Sequence, residues 1–381
     1  KFISFIFNLF MKISTIRSFI ILLIITLFTI GSIAVYSSSC YISEIHYKCS
    51  YYFFLKQIIG YIIGILIIFF CSCINSNIWK KNSIYLFLFS IFLCTLVHFH
   101  PFGLSINGAK RWLKLGIISF QPIEILKPFY ILYISYFLEK YKFQSNQTIF
   151  GLILISAITS SILILQPDFG QTVILLFITI LGFISIQPKK KIIYGFCIIS
   201  LLSTIILAFT KAYRIKRLLI FLDPWKDPTG SGFQIIQSLI AIINGSWTGL
   251  GIGCSKQKNL YLPMQHTDFI FSIICEEMGA IGGIIIILLF LSLFISIILL
   301  EKKSNNIFHK IVLYLSSSLI FLQSSINVLV AMAALPAKGI GLPFISYGIS
   351  SIIGNSILIG IIISFSFDIN ENIKNLKNNI N

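Results

Sequence analysis

The chain has 381 residues, 57% of them hydrophobic and 11% charged, with a formal net charge of +17 and a mean hydropathy of +0.94. That much apolar surface excludes a soluble globular domain and a disordered chain, and indicates an integral membrane protein. The positive charge is not a nucleic-acid signal: much of it lies in short segments between apolar stretches, where membrane topology accounts for it.

Apolar stretches of about 20 residues, long enough to cross a hydrocarbon core, recur along the whole chain. They predict about ten transmembrane helices near 15–37, 51–74, 82–100, 121–139, 149–166, 169–187, 192–211, 272–300, 310–333 and 345–367. No alternation of barrel type interrupts them. The expected fold is an all-α polytopic membrane bundle, one transmembrane domain over residues 1–381. A long extracytoplasmic loop is expected at 212–267 and a cytoplasmic tail at 368–381. Met11-Lys12 reads as the true start, and the first span as an uncleaved anchor.

Lys12, Arg17, Lys80, Lys81, Lys140, Lys142, Lys189, Lys190, Lys191, Lys302, Lys303, Lys310, Lys374 and Lys377 all fall on one side of these spans. That side is read as cytoplasmic, with both termini on it. The 8 Cys form no metal pattern. Cys71, Cys73, Cys94, Cys197 and Cys275 read as small core residues. Cys40 and Cys49 flank the first external loop and read as unpaired.

Two external loops carry basic residues against the topological bias. One holds Lys110, Arg111 and Lys114 beside Trp112; the other holds Lys211, Arg214, Lys216, Arg217, Lys226, Lys256 and Lys258. An anionic lipid headgroup or a pyrophosphate would explain them. Snorkelling explains the lysines equally well, so the arginines carry the functional reading. Glu124 and Lys127 stand i,i+3 and read as a helix-start ion pair. Asp168, in Gln166-Pro167-Asp168, reads equally as a helix cap or a ligand contact. The stretch Phe233–Asn244 is apolar at helical spacing but too short to span, which predicts an interfacial helix. The glycines that follow it lack a preceding strand and Walker spacing, so nucleotide binding is excluded.

Asp268 closes the long loop where an apolar helix begins. A carboxylate at a membrane helix mouth is costly and reads as functional. Glu276 and Glu277 follow about two turns further in. His266 with one Asp does not make a zinc site. The segment Leu335–Gly348, with Pro336, Pro343 and several glycines, predicts a broken connection lining a polar cavity. Its lone charge, Lys338, is positioned to meet Asp268 or a phosphate.

Several of these motifs, in order, resemble the SEDS family (FtsW, RodA and SpoVE) from about residue 15 to 367. They are Gly108-Ala-Lys-Arg-Trp112, Phe120-Gln-Pro122 with Glu124, Gln166-Pro-Asp168, Gly230-Ser-Gly232 with Gln237-Ser238, His266-Thr-Asp-Phe-Ile-Phe271 with Glu276-Glu277, and Lys338-Gly339 with Ile345-Ser-Tyr-Gly348. Arg214-Ile-Lys-Arg217 before Phe221-Leu-Asp-Pro-Trp225 is similar to the division type. The chain departs from the family pattern at Met264, Ala337 and Ile349.

The resemblance implies a peptidoglycan glycosyltransferase that polymerises lipid II, with Asp268 as catalytic base, acting directly or through a divalent cation (magnesium or manganese). It implies a leaving undecaprenyl pyrophosphate held by Lys110, Arg111, Arg214, Arg217 and Lys338. Trp112, Gln237, Ser238, His266, Thr267 and Ser346 join as substrate contacts. Glu124, Lys127, Asp168, Glu276 and Glu277 act in support. Expected partners are lipid II and its glycan strand, membrane lipids, a class B penicillin-binding transpeptidase and divisome membrane proteins. The expected place is the septum of the bacterial inner membrane, with the active face outside. A lipid II flippase, an elongation-type polymerase and a non-catalytic scaffold are the rival readings. Sparse charge within the spans disfavours the flippase, which needs a continuous polar path.

Overall fold

The computed structural model describes residues 12–99, 103–106, 109–115, 118–141, 146–185, 212–230, 232–259 and 261–378. Among them, helices α1 (Ile13–Tyr47), α2 (Tyr52–Cys73), α3 (Ser76–Leu96), α4 (Pro122–Lys140), α5 (Asn146–Leu165), α6 (Phe169–Ser185), α9 (Ile270–Lys303), α10 (Ile307–Ala331) and α11 (Ile349–Asn378) coincide with expected spans. The expected span at 192–211 lies outside the described residues. Six of these helices are long and apolar enough to cross a membrane by length and composition. The α3 and α4 helices carry charged residues near their ends, and α6 is a shorter apolar helix. Among the described residues Cys40, Cys49, Cys71, Cys73, Cys94, Cys254 and Cys275 are free, as expected for Cys40 and Cys49.

Burial sorts the bundle. The α4, α10 and α11 helices are inner, while α2 presents Ile59, Ile62, Ile65, Leu66, Phe69 and Phe70 outward. Outward apolar residues at helical spacing are what a lipid-facing helix requires. The inner α4 helix nevertheless carries two charges. Lys127 Nζ lies 2.6 Å from Glu124 Oε2, and both side chains are buried. Pro128 has no N–H to offer the carbonyl of Glu124, four residues earlier. Gly354 of α11 packs against that same carbonyl, where a Cβ would come within 2.3 Å. A glycine there admits a close helix–helix approach and a weak Cα–H···O contact to the orphaned oxygen.

The ends of the bundle separate. At one end, Lys80 pairs with Glu139 at 2.7 Å, the Ser76 amide donates to Asp368 at 3.0 Å, and Arg17 stacks on Phe367 at 3.8 Å. The start of α1 and the end of α11 therefore share that end, as the even span count predicts. The α1 helix departs from expectation: with 35 residues it is about 50 Å long at about 1.5 Å per residue. Its last turns project past the opposite end of the bundle and bring Ser37–Ser39 to the loops there.

The opposite end carries structure that helical periodicity did not reveal. Residues 103–120 form an antiparallel sheet, β1 (Gly103–Ile106), β2 (Ala109–Leu115) and β3 (Ile118–Phe120), in the order β1-β2-β3. Leu104 pairs with Trp112 and Ser105 with Lys110, so Arg111 is the extra residue of a bulge. The long loop folds into α7 (Ala212–Leu222), a 3₁₀ turn (Pro224–Lys226) and α8 (Phe233–Gly245).

The α9 helix is broken at Gly279 (φ 70°, ψ −174°). The loop after α8 docks into the break: Leu250 N–H donates to the Glu276 carbonyl at 2.9 Å, Gly251 N–H to Glu277 at 3.0 Å, and Ala280 N–H to Ser246 at 2.8 Å. A β-carbon on Gly279 would stand 2.2 Å from the Trp247 carbonyl. Gly279→Ala is expected to cost about 2–4 kcal/mol from backbone strain plus overpacking, read as a lower melting temperature in detergent. Gly170→Ala, with ordinary contacts only, is the control expected to melt like the parent.

Candidate functional site

Asp268 lies in the turn before α9, where three backbone carbonyls in succession are held by distant parts of the chain. Tyr347 N–H donates to His266 at 2.9 Å, Ser346 Oγ to Thr267 at 2.6 Å, and Asn327 Nδ2 to Asp268 at 2.8 Å. Asn327 also donates to the Ile340 carbonyl at 2.9 Å. Ser346 Oγ in turn accepts from Leu342 N–H at 2.7 Å. Gln57 of α2 donates to the Ser346 carbonyl at 3.2 Å and accepts from Gly348 N–H at 3.3 Å. The connection 332–348 is irregular, as its prolines and glycines predict, and buried amides supply the partners that a helix would otherwise provide.

The carboxylate itself faces Gly339, whose added β-carbon would lie 3.4 Å from Asp268 Oδ2. Burial pushes its pKa up to about 6, against the opposing pull of Arg217 and then Arg111. Desolvation wins because two guanidinium groups at a distance return less than the lost water contacts cost. Arg217, on α7, donates to the Ala337 carbonyl at 3.3 Å, beside Lys338. Lys338 stands 5.3 Å from the centre of the Phe169 ring, and burial lowers its pKa. The side chain of Arg214 lies outside the described residues.

Arg111 reaches the same place from the sheet. A bulge re-aims a side chain, and this one sends the guanidinium to the carbonyls of Gln166 (3.3 Å) and Pro167. It also stands 3.9 Å from Asp168 Oδ1. Asp168 accepts from Gln121 Nε2 at 3.3 Å. It also accepts from the backbone N–H of Gln171, so it caps α6, and burial raises its pKa against the Arg111 charge. The helix-cap reading of Asp168 is thus realised, and the same carboxylate also pairs with Arg111. Asp268, Arg111, Arg217 and Lys338 converge at one end of the bundle, with Thr267 and Ser346 setting the backbone between them.

Other expected site residues sit elsewhere. Ser238 is buried between α8, α9 and α10, sharing a hydrogen bond with Ser272 (2.6 Å) and donating to the Ala331 carbonyl (2.6 Å). It fastens helices and contributes no group to the Asp268 cluster. Gln237, its half-buried neighbour, lies on the same short helix. Lys110 is exposed on β2 and Trp112 half-buried. Glu276 and Glu277 clamp the loop that follows α8. Glu276 accepts from Ser255 Oγ and from the amides of Lys256 (3.2 Å) and Gln257 (3.3 Å). Glu277 accepts from Ser37 at 2.5 Å and pairs with Lys258 at 3.4 Å. Lys258 is therefore a structural lysine and not a phosphate ligand.

Burial takes the His266 pKa down to about 4, so the ring is neutral near pH 7 and any contact it makes with a substrate is an uncharged one. Met264 is 43% exposed and left-handed (φ 55°). Its carbonyl accepts from the Thr267 and Phe269 amides, so the family departure at its side chain leaves the turn intact. Ala337 likewise offers Arg217 a backbone oxygen. Asn327 and Gln57 were missed by the sequence reading, although each is an amide within an apolar helix, a costly placement that signals a role.

A family model described as cell cycle protein, of the FtsW, RodA and SpoVE type, matches residues 17–371. The chain is 36% identical over 360 residues to the probable peptidoglycan glycosyltransferase FtsW of Coxiella burnetii, covering 92% of this chain and 96% of that protein. Its identity to the corresponding protein of Buchnera aphidicola is 37% over 353 residues, covering 90% and 87%. Among solved structures, a chain of a peptidoglycan synthase complex that coordinates polymerization and crosslinking superposes with a TM-score of 0.76 at 27% identity, covering 92% and 97%. RodA of Thermus thermophilus superposes with a TM-score of 0.68 at 22% identity, covering 92% and 96%, a likeness of fold. With a family match over most of its length and relatives this similar, the chain belongs to the FtsW/RodA/SpoVE family of cell cycle proteins.

Proposed function

We propose that this protein is a peptidoglycan glycosyltransferase that polymerises lipid II during septal wall synthesis. The observation that carries the reading is a desolvated carboxylate, Asp268, set among Arg111, Arg217 and Lys338. A base near pKa 6 is largely ionised at pH 7 and a better proton acceptor than an ordinary carboxylate. Asp268 takes the proton from the acceptor 4-hydroxyl, whose oxygen attacks the donor anomeric carbon as the bond to the lipid pyrophosphate breaks. The configuration inverts, and the pyrophosphate leaves with its electron pair. Arg111, Arg217 and Lys338 stabilise that growing negative charge in a site poor in water.

A divalent cation, if used, would be held by Asp268 with ligands supplied by the substrate, the low count of protein carboxylates that magnesium accepts. When bound it would supply further charge neutralisation. Among the described residues no three metal-ligating side chains gather, so phosphate oxygens would have to complete the shell.

The end of the bundle shared by the start of α1 and the end of α11 is assigned to the cytoplasm and the Asp268 end to the outer face of the inner membrane. A class B penicillin-binding transpeptidase and divisome membrane proteins are the inferred partners, supported by the likeness to a chain of a synthase complex. The test is polymerisation of lipid II by the purified protein with and without that partner. Lipid II translocation in liposomes without polymer would favour a flippase.

The pH profile provides a second check. The base works ionised, so kcat/KM is expected to fall as pH drops through about 6. Arg217→Ala removes a charge that favours the ionised form, so its inflection should lie at higher pH. An inflection that stays put or moves down refutes the electrostatic assignment.

A further inference from the structure

The buried residues of α2 are Gln57, Gly60, Tyr61 and Gly64, spaced i, i+3, i+4 and i+7 on one helix face. This stripe holds an amide, a phenol and two glycines, and no aliphatic side chain. The glycines let α11 close on α2, since β-carbons there would lie 3.2 Å from Ile352 and 2.7 Å from Ser356 Oγ. The amide and the phenol are inaccessible or nearly so. Buried polar groups cost free energy unless they find partners, so what these two reach is informative.

Both reach one strip of backbone. Tyr61 Oη donates to the Phe344 carbonyl at 2.8 Å and accepts from Gln57 Nε2 at 2.9 Å. Gln57 Nε2 also donates to the Ser346 carbonyl, and Gln57 Oε1 accepts from the Gly348 N–H. The carbonyl needs the nitrogen and the N–H needs the oxygen, so the amide can face only one way. The same strip holds the Asp268 turn through its other groups: Tyr347 N–H donates to the His266 carbonyl and Ser346 Oγ to the Thr267 carbonyl. Inside the strip, buried Phe344 is left-handed (φ 64°). Such backbone is strained for a residue with a side chain and persists where its surroundings over-determine it. Tyr61, stacked on Phe28 with ring centres 4.3 Å apart, holds the Phe344 carbonyl in that conformation. Backbone satisfaction alone does not explain why strain and two buried polar side chains gather on the strip that fixes residues 266 and 267.

We propose that Gln57 and Tyr61 are positioning residues for glycosyl transfer: they fix the strip Phe344–Gly348, which through Ser346 and Tyr347 sets where the Asp268 carboxylate stands. Both act through backbone from a helix whose opposite face meets lipid. The inference rests on the glycosyltransferase reading for its reaction, and one arm of its test is independent of that reading.

That arm is hydrogen exchange of the resting full chain in detergent at residues 264–269, where the Thr267 and Phe269 amides bond to the Met264 carbonyl. Tyr61→Phe keeps the ring stack and removes the hydroxyl; it is expected to speed exchange there about tenfold, the worth of roughly one hydrogen bond. Tyr130→Phe is the control. It deletes a comparably buried hydroxyl, bonded to Thr179 at 2.6 Å between α4 and α6, and should leave these amides as protected as in the parent. The second arm is polymerisation of lipid II. Misplacing a catalytic group by about 1 Å costs up to about 10²-fold, so kcat should fall about tenfold in Tyr61→Phe and about 100-fold in Gln57→Leu, while Tyr130→Phe matches the parent. Gln57→Leu strands two buried backbone groups, so Tyr61→Phe decides the matter should Gln57→Leu fail to fold. A smaller folded fraction only scales the pH profile. A loosened turn moves it: water readmitted beside Arg111, Arg217, Lys338 and neutral His266 lowers the pKa that burial had raised, so the Tyr61→Phe inflection should lie below the parent's. Exchange in Tyr61→Phe like the parent's, equal acceleration in Tyr130→Phe, or an unchanged kcat and inflection in Tyr61→Phe overturns the inference. A parent that makes no polymer while Tyr61→Phe exchanges faster supports the coupling of α2 to the turn and overturns the glycosyltransferase reading.

Discussion

Asp268→Asn is expected to lower the polymerisation rate by about 10²–10⁴-fold, the range for removing a positioned general base. The substitution keeps shape and hydrogen-bonding capacity and deletes the basic oxygen. The turn that positions residue 268 is held through its backbone carbonyls by Asn327, Ser346 and Tyr347, so it does not depend on the side chain. The variant is therefore expected to fold and to melt no lower than the parent. Burial raises the Asp268 pKa, which means that the carboxylate, though largely ionised at pH 7, carries a desolvation cost that a neutral amide escapes. Loss of activity with an unchanged or higher melting temperature separates catalysis from folding. A variant that polymerises at the parent rate removes Asp268 from the mechanism.

The second large effect lies inside the bundle. Lys127→Met leaves Glu124 buried without its partner and is expected to cost about 3–5 kcal/mol. The pair is close, at 2.6 Å, and both side chains are nearly inaccessible, so neither water nor lipid can replace the lost charge. Glu124→Gln should cost a similar amount by stranding Lys127. The double variant Glu124→Gln/Lys127→Met should recover most of the loss, because removing both charges removes the desolvation penalty as well. Melting of the four proteins in detergent gives the coupling directly. Additive losses would show that the two residues act separately.

Much of the architecture was legible in the sequence because a hydrocarbon solvent imposes simple rules. Spans had to be long, apolar and helical, and the lysines of the loops marked one side. Asp268 stood out for the same reason, as a charge where charge is expensive. The sheet escaped notice because β1 and β3 have only 4 and 3 residues and β2 is interrupted by Lys110, Arg111 and Lys114. Arg111 was identifiable as a misplaced arginine, but its aim depends on a bulge created by pairing with β1. Ser238, expected as a ligand contact, bonds to Ser272 and the Ala331 carbonyl, and Lys258, left open between snorkelling and an anion, pairs with Glu277. Composition shows that a polar group is present near a membrane surface, and only packing shows whether a carbonyl or carboxylate of the same chain has already claimed it.

The sequence by itself determined the membrane class, the helical character and the common side of the two ends, and it singled out Asp268 as a costly charge. Each follows from the cost of placing polar groups in lipid, which any stretch of about 20 residues reveals locally. The tertiary structure alone decided which cations gather at the Asp268 end, which acids clamp a loop, and that burial holds His266 neutral. Those properties depend on residues far apart in the chain, such as Arg111, Arg217 and Lys338, and on water excluded only once the helices have packed.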